Sequence, residues 1–273
     1  MSAKAVSDVI QKVLMVPPTF FCVEYAINPW MGGVVDKDKA MTQWTHLKNE
    51  IEAEGVEVKV LEHVNGLPDM VFSCNAGLAY NNKLYVSRFR HKERTGEEPL
   101  FLNWFKENGY EILGSKYEDY FEGGGDVFFT DYKTLWAGSG QRTDKVVIPK
   151  LSQLGKGEFE IIPMEMIHPN FYHLDTCMAP FSATGCLWYP PAFSQASQEE
   201  IRKRLPDSIA VDEDEATSFV CNAICFRKTV LSPIGMKINT REALKKLGYG
   251  VKDIDMSEFM KSGGACQCLV LKL

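Results

Sequence analysis

Apolar residues come in short runs along this chain, and their period changes from run to run. "KVLMVPP", residues 12–18, has the length of one buried strand and is stopped by two prolines that cannot extend a ladder. In "DKDKAMTQWTHLKNEIEAEG" the residues Ala40, Trp44, Leu47 and Ile51 recur at helical spacing, and Gly55 supplies the left-handed residue on which helices end. "VEVKVLE" alternates as a strand does, and "DMVFSCNAGLAYNNKLYVSRF" reads as two strands turned at Asn81 and Asn82. "EPLFLNWFKENGY" restores the helical period, with Leu100, Trp104 and Phe105 inward, and "YEILGS" returns to a strand.

The succession then recurs. "DVFFTDYKTLWAG" repeats the hairpin, "TDKVVIPKLSQLG" the helix and "EFEIIPMEM" the strand, and the series continues through "FYHLDTCMAPFSATGCLWYPP", "EEIRKRLPD", "TSFVCNAICFRKTVLSP" and "REALKKLGYGVKDIDMS". Hairpin, helix and strand at a spacing of about 50 residues point to repeated α+β modules, and the hairpins argue against a doubly wound parallel sheet. No linker or low-complexity stretch interrupts the series, so a single domain over residues 1–273 is expected. The chain closes on "CLVLKL", where alternating Leu269, Leu271 and Leu273 predict a final strand with Cys268 at its entrance.

Composition narrows the partners. With 45% hydrophobic and 24% charged residues the chain has enough apolar surface for a full core. A net charge of -6 offers no basic footprint for nucleic acid and no polybasic membrane patch. The first residues mix charges among apolar positions, which predicts neither a secretory signal nor a membrane span. Eight cysteines without a compact framework predict free thiols in a reducing compartment, the cytosol. Small molecules and proteins remain, a second copy of the chain among them.

Each module carries a short polar signature: Asn75 in "FSCNAG", Glu122 and Asp126 around three glycines in "FEGGGD", His173 and Asp175 alternating on one side of "FYHLDT", then "SFVCNA" and "SGGACQC". If the modules circle one axis, these positions converge on a buried pocket. A cysteine, a histidine and several acids suit hydrolysis through a covalent adduct, with thiolate as nucleophile and a carboxylate-oriented imidazole as acid and then base. Buried carboxylates require a cation, so the pocket predicts a positively charged substrate.

Each of these residues also has an ordinary structural reading. A cysteine before a strand is commonly a small core residue, three glycines a tight turn, and His173 with Asp175 the wet side of a strand. The aromatic "FY" before them and "CMAPF" after them favour a dry setting. Cys266 and Cys268 share a strand face, and spacing favours Cys268 only slightly. Zinc held by Cys266, Cys268 and His173 is disfavoured, because structural zinc sites use four spaced ligands.

Taken together, "PPTFFCVEYAINPWM", "GLPDMVFSCNAG", "SRFRHKERTGEEP", "FEGGGD", "WAGSGQRT", "FYHLDT" and "GGACQC" resemble the guanidino-group-modifying enzymes, the pentein superfamily, in order from about Pro17 to Leu273. The resemblance implies a five-bladed α/β propeller with pseudo-fivefold repeats around a central active-site pocket, no cofactor and no metal. It also implies a small cationic amino acid, arginine or a methylated arginine, as substrate. By motif, Cys268 is similar to the nucleophile, His173 to the general acid and base, and Glu122 to the carboxylate acting with that histidine. Asp175 resembles the carboxylate that binds guanidinium, and Asp126 and Asn28 are further expected substrate ligands. Arg142 in "GQRT" matches an anchor for the substrate carboxylate and Arg94 a second one, with Arg88 and Arg90 as competitors.

One position departs from the family pattern. Deiminases and dimethylarginine hydrolases commonly carry aspartate where this sequence has Asn75; an amide can donate as well as accept, so it can hold a neutral ureido product as well as a guanidinium. With "INPWM" and "FEGGGD", this looks most like the arginine dihydrolases, which convert arginine to ornithine. Dimethylarginine dimethylaminohydrolase is the nearest alternative. An amidinotransferase is disfavoured by length, and a non-catalytic binding protein by the intact Cys268, His173 and Glu122. The stretches near Asp36 and over residues 88–98 are candidates for a lid, or for surface caps and loops.

Overall fold

The computed structural model describes residues 4–273; the first three positions of the expected domain lie outside them. Among the described residues, five three-stranded sheets follow one plan. In the second sheet β3 (Gly77–Tyr80) pairs antiparallel with β4 (Lys83–Val86), the chain crosses in a helix (Glu98–Glu107), and β5 (Glu111–Leu113) returns parallel to β4. The third sheet repeats this with β6 (Val127–Asp131), β7 (Thr134–Ser139) and β8 (Glu160–Glu165), the fourth with β9 (Met178–Pro180), β10 (Cys186–Trp188) and β11 (Ile209–Ala210). The fifth contains β12 (Ile224–Phe226), β13 (Thr229–Pro233) and β14 (Gly250–Ile254).

The first sheet draws on both ends of the chain. Strand β1 (Lys12–Met15) runs parallel to β2 (Glu57–Val60), and β15 (Leu271–Lys272) lies antiparallel on its other side, with Val13 opposite Lys272 and Leu14 opposite Leu271. The C-terminus is therefore held in a sheet as expected, but the strand is only two residues long. Leu269, Val270 and Leu271 are all buried, and Cys268 lies in the turn before the strand. The five-bladed α/β architecture is the one that the resemblance implied, and its modules are the repeats seen in the sequence.

Local chemistry accounts for most elements. Asn81 and Asn82 both take positive φ, as a two-residue hairpin turn requires. The helix Lys37–Ala53 is capped by Asp36, whose Oδ1 accepts from the Lys39 N–H at 3.0 Å, and it buries Ala40, Trp44, Leu47 and Ile51. "DKDKA" is thus a helix start. In the helix Glu98–Glu107 Phe101 and Phe105 are fully buried, while the expected inward residues Leu100 and Trp104 are half-buried. The third crossover is a 3-10 helix, Lys145–Gln153, because Pro149 inside it lacks an N–H and its ring clashes with the preceding α-turn.

The main correction concerns the polar signatures. They do not lie on strands but in turns just before the first strand of each hairpin: Ser73–Ala76, Gly123–Gly125, Leu174–Thr176, Val220–Asn222 and the turn at 266–269. Hydrogen bonds join these turns into a ring. The Asn75 amide donates to the Glu122 carbonyl (3.2 Å), Leu174 N–H to Asp126 (3.1 Å), the Asn222 amide to the Asp175 carbonyl (2.9 Å), Gln267 N–H to the Asn222 carbonyl (2.9 Å) and Cys74 N–H to the Cys268 carbonyl (3.2 Å). The three glycines permit the close approach: a Cβ on Gly123, at φ +53°, would sit 2.6 Å from the Gly77 nitrogen.

Residues 17–36 form an irregular strap that ties to several of the modules. Tyr25 donates to Asp69 at 3.0 Å, the Ile27 carbonyl accepts from Arg142 at 2.7 Å and the Trp30 indole donates to the Asn170 carbonyl at 2.8 Å. Among the described residues no helix is long and apolar enough to cross a membrane.

Candidate active site

Inside the ring of turns the Cys268 thiol faces the Asp175 carboxylate, with Sγ 3.2 Å from Oδ2. Asn222 donates from Nδ2 to the same sulfur at 3.1 Å, while its Oδ1 accepts from the N–H groups of Ala265 and Cys268. Cys74 also approaches Asp175 Oδ2, at 3.7 Å. Burial by itself raises the Cys268 thiol; hydrogen bonds from Cys74 and Asp175 and the charge of His173 outweigh it and bring the thiol down to about 6. Burial and the adjacent sulfur push Asp175 well above the usual carboxylate range. Two anionic groups this close in a dry site share one proton.

A second cluster centres on Glu122. Its Oε2 lies 2.8 Å from His173 Nε2 and accepts from Arg142 at 2.9 Å, and its Oε1 accepts from the Arg90 N–H at 3.1 Å. Against the cost of burial, Arg142, His173 and Arg94 hold the Glu122 carboxyl well below its ordinary value. Asp126 stands 4.0 Å from His173 Nε2, and burial raises it. The guanidinium of Arg142 also lies 4.7 Å over the ring of Tyr172.

A third cluster supports Asn75. Arg94 is fully buried: it forms a fork with both oxygens of Glu97 at 2.8 Å, donates to Asn75 Oδ1 at 2.8 Å and reaches the Asp69 carbonyl at 3.1 Å. The ion pair pins the 3-10 helix Lys92–Glu97, so the stretch 88–98 belongs to the scaffold of the site. Arg90 pairs with Asp144 at the rim. Asn28 is half-buried, and its amide is used at both ends, donating to the Ser262 carbonyl at 3.1 Å and accepting from the Trp30 N–H at 2.9 Å; it braces the strap.

The expected residues Cys268, His173, Glu122, Asp126, Asp175, Asn75, Arg94 and Arg142 therefore share one buried region. Among the described residues Asp126 Oδ2, Asp175 Oδ1 and His173 Nδ1 are buried without a hydrogen-bond partner. Two such carboxylate oxygens beside a thiol and an imidazole make a receptor for a planar donor cation. Cys74, Asp175 and Cys268 have ligand atoms within 4.8 Å of one another, a spacing that one soft metal ion can span; Cys266 is not among them.

Several contributors escaped the sequence reading. Asn222 lay in a noted motif without an assigned role, and Cys74, Asp69, Glu97, Tyr172 and the strap were not singled out. Burial raises Asp69, which accepts from Tyr25 and from Ser262. The signal available for Asn222 was its place in "VCNA", equivalent to Asn75 in "SCNA" three signatures earlier.

A family model described as eukaryotic N,N dimethylarginine dimethylhydrolase matches residues 33–273. The chain is 58% identical over 272 residues to the uncharacterized Caenorhabditis elegans protein ZK1307.1, covering 100% of this chain and 97% of that one. It is 38% identical over 268 residues to the bifunctional arginine dihydrolase/ornithine cyclodeaminase ArgZ of Synechocystis, covering 96% of this chain but only 37% of ArgZ. To the N(G),N(G)-dimethylarginine dimethylaminohydrolase of Mycobacterium tuberculosis it is 35% identical over 266 residues, covering 96% and 86%. The N-terminal domain of ArgZ, solved as a cysteine-to-serine mutant bound to substrate, superposes with a TM-score of 0.90 at 37% identity, covering 96% of this chain and 97% of that domain.

Proposed function

From a chain that belongs to the N,N-dimethylarginine dimethylhydrolase family of guanidino-group-modifying hydrolases, we propose an arginine dihydrolase that cuts two C–N bonds of free arginine. The observation that carries this reading is the place of Asn75. A Cβ on Gly125 would stand 2.4 Å from Asn75 Nδ2 and 3.0 Å from the His173 ring, so amide and imidazole meet over the same glycine. Nδ2 spends one N–H on the Glu122 carbonyl and retains one for an oxygen on the reacting carbon.

The steps follow from the groups present. The guanidinium lies between Asp175 and Asp126, and its charge lets thiol and carboxylate ionise together. Cys268 attacks the guanidino carbon, ammonia leaves with a proton from His173, and a thiouronium adduct remains. His173, oriented by Glu122, takes a proton from water, whose attack frees the thiolate and leaves a ureido group. Asn75 donates to the ureido oxygen, and a second attack by Cys268 releases the second ammonia. Hydrolysis of the thiocarbamoyl adduct gives a carbamate that decays to ornithine and carbon dioxide. Arginine and two waters become ornithine, two ammonia and one carbon dioxide.

Arg142 is the anchor for the α-carboxylate, because each of its terminal nitrogens spends one hydrogen bond here, on Glu122 and on the Ile27 carbonyl, and has another to give. All eight cysteines are free thiols, which supports the cytosol as its compartment.

Mass-spectrometric product analysis with arginine, citrulline, monomethylarginine and dimethylarginine offered separately tests the reading. Ornithine from arginine is expected, and Asn75→Asp is expected to stop at citrulline. A second reading, methylarginine to citrulline and a methylamine, is favoured by the description of the matching family; methylamine release with no ornithine would replace the first reading by this one.

A further inference from the structure

The proposed reaction gives Cys74 no bond-forming or proton-transfer step, yet the fold sets this thiol against the nucleophile. The Cys74 N–H donates to the Cys268 carbonyl at 3.2 Å, which holds the two residues side by side where the first and last signature turns meet. Both sulfurs address one oxygen, Asp175 Oδ2, at 3.7 Å from Cys74 and 3.2 Å from Cys268. The sulfurs are no more than 4.8 Å apart. Rotation about the Cα–Cβ bond of each residue moves its sulfur across such a gap, and neighbouring backbones joined by a hydrogen bond fall within the Cα separations that disulfides span.

Cys266, the other thiol near in sequence, is buried in the apolar core and is absent from the group around Asp175. Cys74 is the thiol that reaches the nucleophile through space.

We propose that Cys74 is the resolving partner of Cys268, so that oxidation of the enzyme by a hydroperoxide ends in a reversible Cys74–Cys268 disulfide. The Cys268 thiolate attacks one peroxide oxygen, the O–O bond breaks, and the sulfur becomes a sulfenic acid as the departing hydroxide takes the proton held by Asp175 and leaves as water. Cys74 gives its proton to Asp175 and attacks the sulfenic sulfur. The S–S bond forms, the S–O bond breaks, and the departing hydroxide takes that proton from Asp175 as a second water. Two thiols lose two electrons and the peroxide gains them. The linked state blocks the nucleophile while sparing it from sulfinic acid, which a thiol alone reduces no further.

The inference rests on a reactive Cys268 and is independent of which guanidino compound is the substrate. The test exposes the full chain to hydrogen peroxide with a chelator present, alkylates remaining thiols and maps peptides by mass. The expected result is a Cys74–Cys268 linked peptide, lighter by about 2 Da than the two separate thiol peptides, that disappears on treatment with dithiothreitol. In Cys74→Ala and in Cys74→Ser the same exposure is expected to leave Cys268 heavier by about 32 Da as sulfinic acid, with ammonia release from arginine not restored by the reductant. Cys266→Ala is expected to form the link as the parent does. A Cys266–Cys268 link, or parent protein that goes to sulfinic acid at the rate of Cys74→Ala, would overturn the proposal. Because the mapping needs no turnover, a wrong substrate assignment leaves the result readable.

Discussion

Asn222 places its side-chain nitrogen 3.1 Å from the sulfur of Cys268 while its side-chain oxygen accepts from the N–H of that same residue at 3.2 Å. One amide thus fixes the turn that carries the nucleophile and supplies a donor to the thiolate. Its own place is set by the bond to the Asp175 carbonyl at 2.9 Å, so sulfur, carboxylate and amide form one rigid unit.

The pH dependence of thiol reactivity follows from that unit. Only the thiolate reacts with iodoacetamide, and against the cost of burial the contacts from Cys74 and Asp175 and the charge of His173 bring Cys268 down to about 6, below the ordinary thiol value. Alkylation of Cys268 is therefore expected to rise through about pH 6 and to fall as the pH drops below it. Asn222→Ala removes the donor and is expected to move the midpoint up by about one unit, Asn222→Asp by more because it adds a charge of the same sign. Peptide-resolved alkylation rates measure this directly, with circular dichroism as the check on folding. A midpoint in both variants equal to that of the parent would show that Asn222 has no hold on the sulfur.

The two cysteines of the terminal "CQC" are expected to differ sharply. Cys268→Ser should lower turnover of arginine by roughly a thousandfold or more with folding intact, since a hydroxyl holds its proton far more tightly than a thiol and is not kept as the anion by the contacts that favour the thiolate. Cys266→Ser replaces a buried core thiol and should cost stability rather than turnover, visible as a lower urea midpoint at similar kcat. Full activity in Cys268→Ser would remove the nucleophile from its role.

How much of this was legible beforehand depends on what a short apolar run reveals. The helix ending at Gly55 and the hairpin at Asn81 and Asn82 were readable because period and turn chemistry are local. The recurring modules, together with the family resemblance that implied five of them around one axis, brought Asn75, Glu122, His173 and Cys268 to one expected pocket. The runs "DMVF" and "FYHLDT" read as strands because a buried 3-10 turn and a buried strand are both short and apolar, and period does not separate them at that length. Partners were less legible than positions. Arg94 was expected to meet the substrate carboxylate, but nothing in "ERTGEE" shows that Glu97, one turn later, would occupy its guanidinium. Asn28 was similarly expected at the substrate and instead has both amide ends engaged within the strap and the turn it crosses.

Glu122 gives a stability prediction whose sign can be worked out. Its folded carboxyl lies below the unfolded value of 4.5, so its contribution is present above 4.5 and is lost as the pH falls through the lowered folded value. At neutral pH the full contribution is present. Glu122→Gln leaves the buried Arg142 without its carboxylate and is expected to cost about 3 kcal/mol or more, with lost activity as His173 loses its orienting partner. Urea unfolding at pH 7 and at pH 4 measures it; parent and variant differing by less than about 1 kcal/mol at pH 7 would contradict the pairing seen here.

Discrimination among guanidino compounds should rest on Arg142. In the structure its Nη2 donates to the Ile27 carbonyl of the strap at 2.7 Å, and its Nη1 to Glu122 at 2.9 Å. A substrate α-carboxylate offers a charged acceptor to the remaining N–H groups, and a charged acceptor holds such donors about twice as strongly as a carbonyl does. Agmatine carries the same guanidinium without the carboxylate, so it leaves those donors buried and unmatched. Its kcat/KM is expected to fall below that of arginine by about a hundredfold, the usual scale for one unpaired buried charge. Arg142→Lys preserves the charge but not the fork, and should weaken arginine far more than agmatine, narrowing the gap between them. Steady-state ammonia release with both compounds on both proteins measures the four values. Equal use of agmatine and arginine by the parent would mean that the carboxylate is held elsewhere, and the half-exposed Arg90 at the rim would then be the residue to replace.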